Sequence, residues 1–226
     1  MSRENPVMKR LAALAATLLI ATVMFAGHAA RADSPPEIVV LGDSLVAGYG
    51  LQPGEAFPER LQEALIADGV QVSVTNAGVS GDTSSGGLAR LDWSVPDGTD
   101  GVIVELGAND ALRGIPPEVT RENLNTIVAR LKERGIAVLL AGMMAPPNMG
   151  EEYAAAFNPI YRDIAAAHDI QLYPFFLDGV AAEAALNQAD GMHPNARGVD
   201  VIVSRFVPAA KDFISRMAGG TRASAE

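Results

Sequence analysis

The sequence predicts an α/β fold: a central parallel five-stranded sheet with helices on both faces. Three observations carry this. Five short apolar runs alternate with helix-like stretches. The runs are β-branched or leucine-rich and lack polar alternation, as strands covered on both faces do. Gly-rich polar segments follow three of them, where such sheets place their ligands.

Taken in order, Ile38–Leu41, Val70–Val74, Val102–Leu106, Ile136–Leu140 and Ile170–Tyr173 read as buried strands. Leu61, Leu65 and Ile66 mark a helix that ends at Gly69. Leu124, Ile127, Val128 and Leu131 share one helical face, and Gly135 supplies the stop. Val199, Ile202, Val203 and Phe206 mark a last helix, which Pro208 is expected to kink or break. The tail from Gly219 to Glu226 is small and polar and is expected to fray. Strand–helix alternation of this kind gives a parallel sheet by right-handed crossovers.

The segment before these elements reads as a targeting sequence. Arg3, Lys9 and Arg10 give a positive start, and Leu11 to Ala26 is almost unbroken apolar sequence. Ala30-Arg31-Ala32 fits the small-x-small rule, so residues 1–32 are expected to be a signal peptide cleaved before Asp33, with 33–226 a single domain. The alternative is an uncleaved anchor, although the run is short for the roughly 20 residues a span requires. Cleavage leaves a periplasmic or secreted protein without stable membrane insertion; a monomer is the default.

The 226 residues carry a net charge of -10, which speaks against nucleic acid as a partner. No cysteine is present, which removes disulfides, thiolate nucleophiles and cysteine-ligated metals together.

Of the three histidines, His28 falls in the leader, and His168 reads as a helix C-terminal residue favoured by the dipole. His193 lies in Asp190-Gly191-Met192-His193-Pro194. A serine hydroxyl needs a base, and the base needs a partner that fixes its tautomer. Asp190 stands three residues before His193 with a glycine between, close enough to reach the Nδ1 side of the ring. The plain alternative is a turn followed by a helix cap. Ser44 directly follows the first strand, where an outward N–H stabilises an oxyanion; alternatively it is a turn serine. Val46 stands where the usual nucleophile elbow carries Gly. Gly81 offers a backbone N–H and Asn109 a side-chain amide at successive strand ends. Removing one such donor typically costs about 100- to 1,000-fold in rate.

Gly42-Asp43-Ser44-Leu45, the block from Asn76 to Thr83 with Gly81, Gly107-Ala108-Asn109-Asp110, and Asp190-Gly191-Met192-His193 occur in that order. Together they resemble the four blocks of the GDSL, or SGNH, hydrolases. Ser80–Ser84, Leu88–Leu91 and Leu112-Arg113-Gly114 are similar to the periplasmic thioesterase I/protease I/lysophospholipase L1 group and its arylesterase relatives. The resemblance implies a three-layer flavodoxin-like fold, with Ser44 as nucleophile, His193 as base and Asp190 as its orienting acid. It implies an oxyanion hole from the Ser44 N–H, the Gly81 N–H and the Asn109 side chain. The substrate would be a small-molecule ester or thioester, with no metal or other cofactor. Ala108, where relatives often carry Gly, is expected to affect substrate preference more than activity.

The loop from Ala141 to Gly150 holds Met143, Met144 and Met149, expected to form an adaptable wall for an acyl chain. Asp43 and Asp110 are expected to bond loop N–H groups. Two other classes stay open at this point. A metal-dependent phosphoesterase would use Asp43, Asn109, Asp110, Asp190 and His193 as hard-metal ligands. A non-catalytic acyl-chain carrier would need no triad.

Overall fold

The computed structural model describes residues 34–223, with side chains up to Met217. Five parallel strands form its sheet: β1 (Glu37–Gly42), β2 (Ser73–Gly78), β3 (Gly101–Glu105), β4 (Ala137–Ala141) and β5 (Gln171–Tyr173). Their order is β2-β1-β3-β4-β5. From β1 the chain steps outward to β2, then returns past β1 to β3 and continues in the other direction. Right-handed crossovers therefore put the first connecting helix on one face and the later ones on the other. The direction reverses at β1 and β3, and beyond the carboxyl ends of strands at such a switch point is where open α/β sheets bind their ligands.

The β1–β2 crossover carries α1 (Ser44–Ala47) and α2 (Phe57–Ala67). Between β2 and β3 lie α3 (Ser84–Ala89) and α4 (Leu91–Ser94). Next come α5 (Ala108–Leu112) and α6 (Pro117–Glu133). A 3₁₀ turn (Pro147–Met149), α7 (Glu151–Phe157) and α8 (Ile160–His168) precede β5. The last described element is α9 (Ala196–Ala223), which packs on α2, while α6 packs on α3 and α8. Three layers result.

Apolar periodicity decides which surfaces are buried. Leu124, Ile127, Val128 and Leu131 of α6 are fully buried, as are Leu61 and Leu65 of α2, whereas Ile66 is exposed. Burying such a side chain stabilises the fold by roughly 1.5–3 kcal/mol. Phe57 of α2 meets Phe206 of α9 and Phe176 edge-on, with ring centroids 5.2 and 4.9 Å away. That aromatic knot fastens the terminal helix.

Several sequence expectations shift. The second strand begins at Ser73 rather than Val70 and continues to Gly78. It is a half-buried edge strand, so backbone pairing with β1, not an apolar run, sets its limits. Pro208 does not break α9: its side chain faces solvent, while Phe206, Ala210 and Phe213 on either side of it are buried and hold the helix together. The helix continues past Gly219 to Ala223. The expected signal peptide lies outside the described residues. No helix among the described residues is long and apolar enough to cross a membrane.

Candidate active site

The site is built where α1 crosses the carboxyl ends of the first two strands. Gly42 and Gly78 face each other in the β1–β2 register. A Cβ on Gly78 would lie 2.2 Å from the Ala47 nitrogen, and one on Gly42 would lie 2.3 Å from Val46 Cγ2. Two paired glycines thus let a short helix rest directly on the strand ends. Gly42 is required for close packing rather than for an unusual backbone angle. Asp43 caps α1, its Oδ1 accepting the Leu45 N–H at 3.0 Å, and Gly48 ends the helix in the left-handed region at φ 76°. Ser44 is the first residue of α1 and is 9% exposed.

His193 arrives on the loop before α9. Its Nε2 lies 2.9 Å from Ser44 Oγ, and its Nδ1 lies 2.6 Å from Asp190 Oδ2. Asp190 Oδ1 also accepts the backbone N–H groups of His193 and Met192, at 3.0 and 2.9 Å. Gly191, at φ 71°, makes that return possible. One carboxylate therefore fixes both the backbone and the ring of the histidine. These bonds, led by the His193 and Met192 amides, hold the Asp190 carboxyl down at about 2. An ionised carboxylate on Nδ1 leaves Nε2 as the acceptor facing the Ser44 hydroxyl.

The three expected oxyanion donors are the Ser44 N–H, the Gly81 N–H and the Asn109 side chain. Among the described residues, no hydrogen bond engages the N–H of Ser44 or of Gly81. Gly81 has φ 85°, and its carbonyl is held by Arg113 Nη2 at 2.7 Å. Asn109 sits in the first turn of α5, after Gly107 at φ 114°. A side chain at Gly107 would strike the Tyr161 hydroxyl, which donates to the Leu106 carbonyl at 2.9 Å. The Asn109 amide donates one hydrogen to Asp43 Oδ2 at 2.9 Å, which orients the group and leaves its other N–H for a ligand.

The remaining expected residues take structural places. Asp110 is buried and accepts from the Ser84 amide and hydroxyl and from the Thr120 hydroxyl. Among the described residues, no group of three or more histidines and carboxylates is arranged to hold a metal ion. The expected methionine wall is only partly present. Met143 lies in the core, Met144 is exposed, and Met149 is half-buried near Gly114. The apolar run out of β4 continues far enough to draw Met143 inward. The Ala108 methyl packs against the core.

Sequence reasoning missed what stands behind the site. Glu105 ends β3 fully buried; its Oε2 accepts the Asp43 N–H at 3.3 Å, and its Oε1 has no partner. Burial pushes the Asp43 carboxyl up to about 6 and Glu105 well above the usual carboxylate range. Arg90 ties three pieces together, donating to the Gly42 carbonyl, the Ala77 carbonyl and Asp82 at 2.9, 2.8 and 2.6 Å. A lone charge ending an apolar strand was the available signal for Glu105.

A three-layer parallel α/β fold with a serine–histidine–aspartate relay at its carboxyl edge defines the class of SGNH-type serine hydrolases. The chain belongs to the GDSL-like Lipase/Acylhydrolase family, whose profile matches residues 40–201. It is 40% identical over 177 residues to the arylesterase of Vibrio mimicus, covering 78% of this chain and 88% of that one. It is 40% identical over 174 residues to the thioesterase 1/protease 1/lysophospholipase L1 of Escherichia coli K12, covering 76% and 81%. The crystal structure of AlinE4, an SGNH-hydrolase family esterase, superimposes with a TM-score of 0.68 at 45% identity, covering 79% and 96%.

Proposed function

We propose that this protein hydrolyses carboxylic esters through an acyl-enzyme on Ser44, with His193 as general base and Asp190 as the acid that orients it. The observation that carries the reading is the unbroken relay from Asp190 Oδ2 through both ring nitrogens to Ser44 Oγ, at 2.6 and 2.9 Å. Ser44 Oγ attacks the carbonyl carbon while Nε2 takes its proton. The negative charge that develops on the carbonyl oxygen is met by the Ser44 and Gly81 N–H groups and the free N–H of Asn109. Donors fixed before the reaction would need no reorganisation at the moment of attack. The imidazolium then protonates the departing alcohol or thiol. Water, deprotonated by the same nitrogen, attacks the acyl-enzyme and regenerates Ser44.

The substrates fall among aryl esters and short- to medium-chain acyl esters, with acyl thioesters and lysophospholipids in the same chemical reach. Each presents an sp² acyl carbon and a leaving group that Nε2–H can protonate. Residues 1–32 are the proposed export signal, supported by the basic start, the apolar run and Ala30-Arg31-Ala32. Periplasmic or extracellular residence follows from it.

The test compares hydrolysis of p-nitrophenyl acetate, butyrate and octanoate by the wild-type protein and by Ser44→Ala, in EDTA. The proposal expects metal-independent turnover that falls by about four or more orders of magnitude in the variant. Equal rates in the two proteins would remove Ser44 from the mechanism. Loss of wild-type activity in EDTA, restored by metal, would favour the phosphoesterase class instead.

A further inference from the structure

The loop that delivers His193 is long and irregular: between Tyr173 and Ala196 there is no regular helix or strand. Its imidazole must nonetheless meet a hydroxyl 149 positions away in sequence to within hydrogen-bond distance. A misplacement of about 1 Å at such a contact costs roughly 100-fold in rate. Something other than the reacting pair has to set the register.

Gln188 is built to do this. Its backbone N–H donates to the His193 carbonyl at 2.7 Å. Its side-chain Nε2 donates in two directions, to the Tyr49 carbonyl at 2.7 Å and to the Pro194 carbonyl at 3.0 Å. Next to it, Asn187 and Pro194 form an antiparallel bridge. Apart from the Ser44–His193 bond itself, the contact to Tyr49 is the one hydrogen bond among the described residues that joins the loop of residues 174–195 to residues 44–56. Tyr49 in turn lays its ring against the imidazole, with centroids 4.6 Å apart. Gly50 makes room for the clamp: a Cβ there would lie 2.2 Å from Gln188 Oε1.

We propose that Gln188 is a positioning residue that clamps the His193 loop to the segment following Ser44, holding base and nucleophile in register. The clamp acts through His193 and touches no substrate, and it rests on the reading of Ser44 and His193 as nucleophile and base. Both N–H groups of one amide are spent on carbonyls from the two segments, so a side chain of similar size without donors removes the link and little else.

The test uses Gln188→Met and Gln188→Glu in the full chain. The readouts are kcat and KM on p-nitrophenyl acetate, the rate of Ser44 phosphonylation by a small fluorophosphonate, and thermal unfolding followed by circular dichroism. The expected result is a folded protein whose kcat and labelling rate both fall at least about 10-fold while KM stays within about threefold. Gln188→Glu, which sets a carboxylate against two carbonyl oxygens, loses at least as much. Rates within twofold of wild type in either variant overturn the clamp. So does a loss that resides in KM or that tracks loss of folded protein. Ser44→Ala, run in parallel, separates the two ideas: if it turns over like wild type the underlying mechanism fails, whereas fast Gln188 variants beside a dead Ser44→Ala refute the clamp alone.

Discussion

Asn109→Ala is expected to remove two things at once: the proposed oxyanion donor and the bond to Asp43. The amide has two hydrogens. One is committed to Asp43 Oδ2 at 2.9 Å, and the other is the proposed oxyanion donor. Losing the free donor should lower kcat about 100- to 1,000-fold, with KM for a small ester little changed. Losing the committed donor leaves Asp43, which has no solvent exposure, with an unmet oxygen. A hydrogen bond to a charged group is worth about 1.5–3 kcal/mol, so melting should fall by about 3–12 °C in a domain of this size. Asp43, already raised to about 6 by burial, can take up a proton in the variant, which limits the cost to the lower part of that range at acidic pH. Steady-state kinetics with p-nitrophenyl butyrate and calorimetry at pH 5 and pH 8 read both effects. A kcat within threefold of wild type would refute the oxyanion role; an unchanged melting temperature at pH 8 would refute the Asp43 linkage.

Burial raises the folded-state values of both Asp43 and Glu105, so the stability they lend is full below their ordinary range of about 4 and is lost as pH rises, for Asp43 through about 6. Glu105→Gln removes one of these titrations. The wild-type melting temperature should therefore fall more steeply than the variant's between pH 4 and pH 8, and parallel slopes would contradict this. Asp190, held at about 2, works in the opposite sense: its contribution is present above about 4 and is lost only as pH falls through 2, outside that window. Gly42→Ala places a methyl 2.3 Å from Val46 Cγ2 and 2.8 Å from the Glu105 carbonyl oxygen. It should cost about 1–3 kcal/mol on denaturant unfolding, and a neutral result would show that α1 can lift from the strand ends.

The core strands were legible because they obey one rule: covered on both faces, β1, β3 and β4 leave an apolar run that marks their position within a residue or so. The bounds of the edge strand β2, expected at Val70–Val74, were misjudged, since a half-buried Ser73–Gly78 carries no such run and is defined by pairing with β1. Pro208 misled for a different reason. A local rule about a missing N–H met a helix whose buried face runs on past it, and tertiary packing prevailed. At the site, Ser44, Gly81, Asn109, Asp190 and His193 were singled out by four blocks that occur in order and resemble those of the SGNH hydrolases; read alone, each had a plain alternative as a turn, loop or cap residue. Gln188 and Tyr49 were not, because their roles exist only when residues 139 positions apart are brought together. Glu105 left a faint mark, a single acid ending an apolar strand, whose meaning depends on Asp43 lying over it.

Ser44, activated by His193, is proposed to form the acyl-enzyme. The most direct test is to treat the wild-type protein in EDTA with a fluorophosphonate, then follow intact mass, the labelled peptide and residual ester hydrolysis together. The expected result is one adduct per chain, on Ser44, with activity lost in proportion to labelling. Full turnover by protein labelled on Ser44, or complete inactivation with the adduct elsewhere, would contradict it.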